Sequence, residues 1–364
     1  VTFIAADHEF MGRALRLAAR GLFTTTPNPR VGCVLVKDGA IVGEGWHEKA
    51  GGPHAEVVAL RAAGEQARGA TAYVTLEPCS HHGRTPPCAE ALIAAGIARV
   101  VAAMQDPNPQ VSGQGLARLS AAGIATSCGL MAAEAAELNV GFVSRMTRGR
   151  PWLRLKAAMS LDGKTALANG ASQWITGPAA RRDAHAFRAR SCAMLTGIGT
   201  VRDDDPSLTV RDVETTRQPL RVVLDGWLEL SPAARILAGG NTLVFCSTED
   251  ESRMEALRDK GAEVVFLPDG TGRVDLLGML HELGRRGINE LMVEAGARLN
   301  GALIKTGCVD ELLIYQAPIL LGDKARGLAA LPELTELAAR HELDVFDTRR
   351  VGRDMRLRAR FKTA

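Results

Sequence analysis

Apolar and polar positions change period repeatedly along the first 150 residues of the chain. Phe10, Ala14, Leu17 and Ala18 recur at helical spacing behind Asp7, a residue suited to capping, and Gly21 suits the end of that helix. VGCVLVK (31–37) is an unbroken apolar run of strand length; Asp38-Gly39 is a two-residue hairpin turn, and AIVGEGW (40–46) returns antiparallel. A helix begins near His54, TAYVTL (71–76) is a strand, a helix runs from Pro87 to Gly96, and ARVVAAM (98–104) is a strand. A helix around 115–122, a short strand at 124–127 and a helix near 132–145 complete the series. Strands separated by single helices predict a mostly parallel sheet covered on both faces, with the hairpin adding an antiparallel edge.

MTRGRP (146–151) is polar and basic with a Gly and a Pro, so it reads as a linker dividing the chain into 1–147 and 148–364. Beyond it, strands are predicted at 152–159, 192–197, 220–225, 241–246, 262–267, 290–295 and 309–317. In MRLRARFK, Met355, Leu357, Ala359 and Phe361 alternate with Arg356, Arg358, Arg360 and Lys362. That period of two predicts a charged edge strand with one buried apolar face.

Two domains are the natural division of 364 residues. With 46% hydrophobic and 23% charged residues and a formal charge of +3, the composition is that of an ordinary soluble globule and gives no reason to invoke a nucleic acid or a membrane surface. No apolar run reaches the length of a bilayer span, and VTFIAADHEF has neither the basic start nor the apolar stretch of a signal peptide. Seven cysteines in such a chain suit a reducing cytoplasm, with thiols used for packing or metal.

Three of the metal-capable side chains have a chemical spacing. HAEVVAL (54–60) and TLEPCSHHGRTPPC (75–88) offer His54, Cys79 and Cys88, an N/S/S set of the kind that holds a catalytic zinc and leaves one position for water. Such coordination lowers the pKa of water toward about 7, making hydroxide available at neutral pH. Glu56, a poor ligand beside thiolates, is placed to shuttle protons, and Pro53 and Pro86-Pro87 suit helix starts at the two ligand segments. The pattern is that of the zinc deaminases, H-x-E followed by P-C-x-x-C, except that eight residues rather than two separate Cys79 from Cys88. The longer insert brings His81, His82 and Arg84 to the pocket mouth. Two blander readings stand beside this: unconnected core residues, or a closed structural zinc with His81 or His82 as fourth ligand, which leaves Glu56 without a role. Cys33, Cys128, Cys192, Cys246 and Cys308 read as packing. The second half has no GxGxxG; TGIGT (196–200) and GARLNG (296–301) follow strands, and the latter opens a helix whose free N–H groups can hold a pyrophosphate.

TTTPNPRVGCVLV (24–36), PHAEVVAL (53–60), TLEPCSHHGRTPPC (75–88) and MQDPNPQVSGQG (104–115) closely resemble the deaminase half of the bifunctional riboflavin-biosynthesis deaminase/reductase family. LKAAMSLDGKTA (155–166), SQWIT (172–176), DDPSLTVR (204–211) and VEAG (293–296) resemble its reductase half. The resemblance implies an α/β chain in which a cytidine-deaminase-like three-layer domain precedes a dihydrofolate-reductase-like α/β domain. It implies Zn2+ in the first and NADPH in the second. The implied steps are loss of the 2-amino group of 2,5-diamino-6-ribosylamino-4(3H)-pyrimidinone 5′-phosphate as ammonia, then reduction of the ribosyl unit to ribityl. His54, Cys79 and Cys88 are then the metal ligands and Glu56 the acid/base; Asn28, His47, His81 and Arg84 match pyrimidine-contacting positions. Ala158, Trp174, Thr200, Asp204, Gly296, Ala297, Arg298, Leu299, Asn300, Gly301 and Ala302 match NADP-contacting positions, and Ser172, Arg188, Leu208, Arg211 and Glu294 substrate-contacting ones. Asp204 and Lys156 are the candidates for acting in the reduction. The family also implies a cytoplasmic homo-oligomer, a dimer or tetramer. Relative to the family the chain is shortened over 212–240, which leaves cofactor contacts there unassigned. The alternatives are a nucleic-acid-editing zinc deaminase with an appended domain, which the first half's lack of a Lys/Arg cluster disfavours, and a non-catalytic zinc-stabilised binding protein, which needs four protein ligands.

Overall fold

The unbroken apolar run has no polar face to turn to water, and in the computed structural model, which describes residues 2–80, 87–109 and 111–362, it becomes a strand covered on both sides. Cys33, Val34 and Leu35 of this strand, β1 (Gly32–Lys37), are fully buried; Asp38 and Gly39, at φ 51° and 78°, then turn the chain into β2 (Ala40–Trp46). The chain divides into two compact units, Val1–Gly149 and Arg150–Ala364.

In the first unit α1 (Ala5–Ala18) precedes the hairpin. There follow α2 (Ala55–Ala63), β3 (Thr71–Val74), α3 (Cys88–Ala94), β4 (Arg99–Ala102), α4 (Gln114–Ala121), β5 (Ala125–Cys128), α5 (Ala132–Leu138) and α6 (Val140–Arg148). The sheet runs β2-β1-β3-β4-β5. Met11, Ala14 and Leu17 of α1, with Ala135 of α5, cover one face; Ala55, Ala59, Ala89, Leu92 and Leu119 of α2, α3 and α4 cover the other, giving three layers. The β3-β4 and β4-β5 pairs are parallel, and β1 is antiparallel to both neighbours. The expected mostly parallel sheet is thus half antiparallel, because α2 carries the chain from β2 to β3 across β1 and leaves β1 between two strands of opposite direction. Close approach of α2 depends on Gly45, where a Cβ would lie 2.6 Å from the Ala59 nitrogen. Asp7 is not the N-cap of α1: that is Ile4, and Asp7, in the third helical position, accepts the Ile4 N–H at 3.0 Å and the Tyr73 hydroxyl at 2.7 Å.

The second unit comprises β6 (Trp152–Met159), β7 (Lys164–Ala166), α7 (Pro178–Arg190), β8 (Ala193–Gly197), α8 (Ile198–Asp204), β9 (Leu220–Leu224), β10 (Thr242–Cys246), α9 (Glu251–Arg258) and β11 (Ala262–Phe266). It continues with α10 (Leu276–Arg285), β12 (Glu290–Val293), α11 (Ala297–Lys305), β13 (Glu311–Gln316), β14 (Arg326–Gly327), β15 (Leu343–Val351) and β16 (Asp354–Phe361). Nine strands form one sheet in the order β11-β10-β9-β8-β12-β6-β13-β16-β15, parallel as far as β13. Apolar residues of α10 and α11 pack on one face and those of α7 and α9 on the other.

The terminal strand departs from expectation in a physically instructive way. β16 is not an edge; it lies between β13 and β15, and β15 takes the edge. Both of its faces are covered: Leu357, Ala359 and Phe361 meet the apolar core as expected, with only Met355 exposed (38%), and the arginine face is turned inward too, Arg356 being 7% exposed. Arg356 pairs with Asp183 at 3.0 Å and Asp347 at 2.8 Å, and Arg358 with Glu311 at 2.7 Å. The guanidinium groups of Arg154, Arg356 and Arg358 lie 5.3, 5.4 and 5.7 Å from the Phe187 ring centre. Arginine tolerates such burial because acids on neighbouring elements meet its donors and its flat face stacks on an aromatic ring.

Arg154, fully buried, bridges Glu290 at 3.0 Å and Glu311 at 2.9 Å, and Arg190 adds a second contact to Glu290 at 2.8 Å. Burial alone would raise the Glu311 carboxyl, but Arg154 and Arg358 overcome it and bring it from 4.5 to about 2. The stabilisation this linkage supplies is therefore complete above pH 4.5 and lost as pH falls through that value toward about 2. Glu311→Gln is expected to lower stability at pH 7 by about 3–5 kcal/mol, a gap to the parent protein that narrows below pH 4.5; denaturant midpoints across pH check this, and a gap independent of pH contradicts it.

Candidate active sites

His54 stands at the N-cap of α2 with an extended backbone, so its side chain leaves the helix end rather than the helix flank; Glu56 follows in the first turn. Cys88 is the first residue of α3 behind Pro87, and Cys79 lies on the chain leaving β3. These three segments converge. His54 Nδ1 is 3.2 Å from Cys88 Sγ and 3.6 Å from Cys79 Sγ, and all three donor atoms lie within 4.8 Å of one another. Tetrahedral zinc with bonds near 2.3 Å to sulfur and 2.0–2.1 Å to nitrogen separates its ligand atoms by roughly 3.5–3.8 Å, so the donor set fits that ion. The thiols respond to each other: a hydrogen bond from the Cys88 thiol is the chief cause pulling Cys79 down to about 4, and the same bond pushes Cys88 up. The pair holds one proton between two sulfurs, the place a dication takes.

Glu56 is 3% exposed, and burial first, then the Cys79 charge, raises its carboxyl to about 7. Its Oε2 has no hydrogen-bond partner among the described residues. A buried carboxylate oxygen left unpaired is costly to keep, which marks Glu56 as a group awaiting a proton or a substrate. Asn28 and His47 are brought together: the Asn28 amide lies 3.0 Å from His47 Nε2, and His47 Nδ1 lies 2.9 Å from the Pro53 carbonyl. The carbonyl requires a proton on Nδ1, so Nε2 accepts from Asn28 and the ring is neutral, as burial also favours. His47 sits edge-on to His54 at 5.5 Å. His81 and Arg84 lie outside the described residues.

Glu77 escaped the sequence reading. Buried two residues before Cys79, it accepts the backbone N–H groups of Asp106 (3.1 Å), Gly113 (2.9 Å), Gly115 (2.8 Å) and Leu116 (3.2 Å). It straps the 106–116 loop to the ligand segment, and Gly115 allows the contact, since a Cβ there would overlap the Pro78 carbonyl. The available signal was an acid flush against a metal-ligand segment, with a glycine-bearing loop downstream to receive it.

In the second unit Glu294, just beyond β12, receives Arg188 of α7 through two bonds (2.6 and 2.9 Å) and Lys156 of β6 at 3.5 Å. Although burial opposes ionisation, the charges of Arg188 and Lys156 hold this carboxyl well below the usual range. Arg188 also donates to the Thr209 carbonyl at 3.1 Å, so its guanidinium is largely engaged within the protein. Arg211 is more open, donating to Ser207 Oγ at 2.7 Å. His185, also missed, accepts the Arg211 backbone N–H at 3.2 Å; burial and then the Arg188 charge lower it to about 4, so it is neutral. Ser172 Oγ donates to Asp204 Oδ1 at 3.3 Å. The exposed Trp174 ring carries the Arg181 guanidinium at 4.6 Å. Ala158 lies on β6, Thr200 and Asp204 on α8, and the buried Leu208 beyond it. Gly296 caps α11, with Ala297, Arg298 and Leu299 in its first turn. Asn300 donates to the Ala295 and Leu328 carbonyls, at 3.2 and 2.8 Å, and a Cβ on Gly301 would overlap Ala330.

Comparison with known proteins agrees with this division. Residues 4–104 match the cytidine and deoxycytidylate deaminase zinc-binding region, and residues 151–357 match the RibD C-terminal domain. The chain is 54% identical to the riboflavin biosynthesis protein RibD of Escherichia coli over 363 residues, covering 96% of this chain and 98% of that protein. It is 51% identical to the Haemophilus influenzae RibD, covering 98% and 97%. Among solved structures, Acinetobacter baumannii RibD superposes with a TM-score of 0.92 at 45% identity, covering 98% of this chain and 99% of that one. A Thermotoga maritima diaminohydroxyphosphoribosylaminopyrimidine deaminase/5-amino-6-(5-phosphoribosylamino)uracil reductase superposes at 0.86 and 34%, with the same coverage. Fold and sites thus define a zinc deaminase joined to a reductase. The chain belongs to the RibD family of riboflavin biosynthesis proteins. It is a bifunctional hydrolase and oxidoreductase whose cofactors are Zn2+ and NADPH.

Glu77→Gln replaces one acceptor oxygen of the strap with a donor that repels the N–H groups it meets. Zinc release to a chelator is expected to accelerate by roughly 10–100-fold, with the NADPH-dependent activity of the same chain unchanged; an unaltered release rate contradicts the strap.

Proposed function

We propose that residues 1–147 deaminate 2,5-diamino-6-ribosylamino-4(3H)-pyrimidinone 5′-phosphate and that residues 148–364 reduce the product to 5-amino-6-(5-phosphoribitylamino)uracil. The reading rests on one observation above others: a buried, unpaired Glu56 oxygen beside three converging zinc-type donors, His54, Cys79 and Cys88. Bound zinc supplies a Lewis acid that makes water a nucleophile source near neutral pH. Glu56 takes one proton of the water as it adds to the amine-bearing ring carbon and delivers it to the ring nitrogen, then takes the remaining hydroxyl proton and passes it to the amine as the carbon–nitrogen bond breaks, the carbonyl forms and ammonia leaves. A carboxyl poised at about 7 suits both directions of transfer. His47, fixed by Pro53 and Asn28, presents a neutral edge to the pyrimidine, and His81 and Arg84 are substrate-binding residues by their match to the family.

In the reduction NADPH supplies hydride to the sugar carbon, while the chain supplies position and a proton. Lys156, paired with Glu294 at 3.5 Å, delivers that proton to the oxygen released as the sugar ring opens. Arg211, with donors to spare, grips the 5′-phosphate, and Arg188 positions Glu294 against the sugar hydroxyls. Ser172 and Asp204 border the nicotinamide, together with Ala158, Trp174, Thr200 and Leu208, and the first turn of α11 receives the pyrophosphate. Among the described residues no helix is long and apolar enough to cross a membrane. By its family the protein is a cytoplasmic homo-oligomer, a dimer or tetramer acting on this small phosphorylated substrate.

Glu56→Gln is expected to cut ammonia release by roughly 10²-fold or more while leaving NADPH oxidation on already deaminated substrate intact. Asp204→Asn should do the reverse. Parallel assays of ammonia and of NADPH absorbance decide it: ammonia release at the parental rate from Glu56→Gln removes the deaminase assignment, and normal NADPH oxidation by Asp204→Asn removes Asp204 from the reduction.

A further inference from the structure

Arg211 sits on chain that belongs to no helix or strand, between the end of α8 and the start of β9. Such a segment has no ladder to hold it. Yet four consecutive backbone groups here, the Thr209 carbonyl, both groups of Val210 and the Arg211 N–H, are each met by a side chain. The Gln218 carboxamide closes on Val210 twice: its Oε1 accepts the Val210 N–H at 2.8 Å and its Nε2 donates to the Val210 carbonyl at 3.1 Å. A neighbouring strand would pair a residue in this way; here one side chain does it. His185 Nδ1 accepts the Arg211 N–H at 3.2 Å, and Arg188 donates to the Thr209 carbonyl at 3.1 Å.

One helix stands behind all three side chains. α7 carries His185 and Arg188, and Arg217, the residue before Gln218, donates to the carbonyls of Ala189 (2.8 Å) and Ser191 (2.9 Å) at the end of that helix. The segment needs the restraint, because Leu208 is buried at φ 48°, a left-handed conformation that leucine rarely adopts. Leu208 and Val210 are buried, and the residues that alternate with them meet one another: Arg211 Nη1 lies 2.7 Å from Ser207 Oγ and 3.5 Å from Thr209 Oγ1. Arg211 Nε and Nη2 make no hydrogen bond among the described residues. The Arg188 guanidinium that braces Thr209 also holds Glu294, at 2.6 and 2.9 Å. The bracing therefore fixes the span between Glu294, which meets the sugar in the reading above, and Arg211, which meets its phosphate. Gln218 itself is exposed and takes no part in the apolar core.

We infer that Gln218 is a positioning residue for the reduction: by holding the Val210 backbone it sets the reach of Arg211 from Glu294, and with it the preference for a 5′-phosphorylated substrate. The inference deepens the reductase reading and rests on it. The test is calorimetric binding, to the full-length protein, of 5-amino-6-(5-phosphoribitylamino)uracil and of the same compound without its phosphate, with steady-state kinetics of the reduction alongside. Gln218→Met keeps the length of the side chain and removes both bonds. It is expected to raise the dissociation constant of the phosphorylated compound roughly tenfold, with the unphosphorylated compound and NADPH changed less than about twofold. KM for the phosphorylated substrate should rise while kcat stays within about twofold. Because Gln218 acts through Arg211, adding Gln218→Met to Arg211→Ala should cost less than about twofold more. No loss, a loss shared by both compounds or by NADPH, or a full further loss on top of Arg211→Ala overturns the inference; the reductase reading stands as long as Arg211→Ala weakens the phosphorylated compound alone. If the parent protein does not prefer that compound, or Arg211→Ala affects both alike, the phosphate grip fails as well.

Discussion

Two thiols and an imidazole that crowd within a few ångströms are tolerable only if something positive stands among them. Without it the two sulfurs share a proton, one pulled toward thiolate and the other held as thiol by the same bond. The first unit is organised around this constraint. Two helix starts and one strand exit deliver the donors, Gly45 lets α2 lie close enough on the sheet to bring His54 in, and Glu77 locks the segment carrying Cys79 by four backbone bonds. Because the donor set has no competent counterpart in an unfolded chain, ion binding and the order of this end of the unit are coupled. Glu56 keeps one buried oxygen without a hydrogen-bond partner among the described residues, and that is where the chemistry belongs.

The second unit solves a related problem without a metal. β6 sends Arg154 and Lys156 to the same face, two residues apart. Arg154 enters a closed set of ion pairs with Glu290 and Glu311, a scaffold beneath the sheet; Lys156 meets Glu294, which also holds Arg188. One strand thus carries a buried structural charge and a site charge, and the rigidity of the first fixes the position of the second. The same balance explains how β16 buries its arginines: acids and the Phe187 ring receive them from neighbouring elements.

Features written in short-range spacing were legible. The Asp38-Gly39 turn, most strands of both units and the set His54, Glu56, Cys79 and Cys88 depend on residues close in sequence or on a motif whose chemistry restricts the side chains. What escaped depends on distant partners. Glu77 looks like any acid until the loop 29–39 residues onward folds back to donate to it. Asp7 serves Tyr73 and its own helix from the third helical position, which spacing alone does not reveal. β15 alternates poorly because a bulge between Val345 and Asp347 shifts its register, so its sequence does not read as a strand. The pairing of Arg188 with Glu294 joins residues 106 apart in sequence, and His185 shows no signal at all because its role is to accept a backbone N–H.

The central claim, that His54, Cys79 and Cys88 hold one ion and leave a position for solvent, is tested most directly by X-ray absorption at the zinc edge on the active, full-length protein. The account predicts one zinc per chain with two sulfur neighbours at about 2.3 Å and one nitrogen and one oxygen at about 2.0–2.1 Å, the oxygen replaced when a small inhibitory anion or substrate analogue is added. A shell closed by four protein ligands, or a fully active protein without zinc, contradicts it.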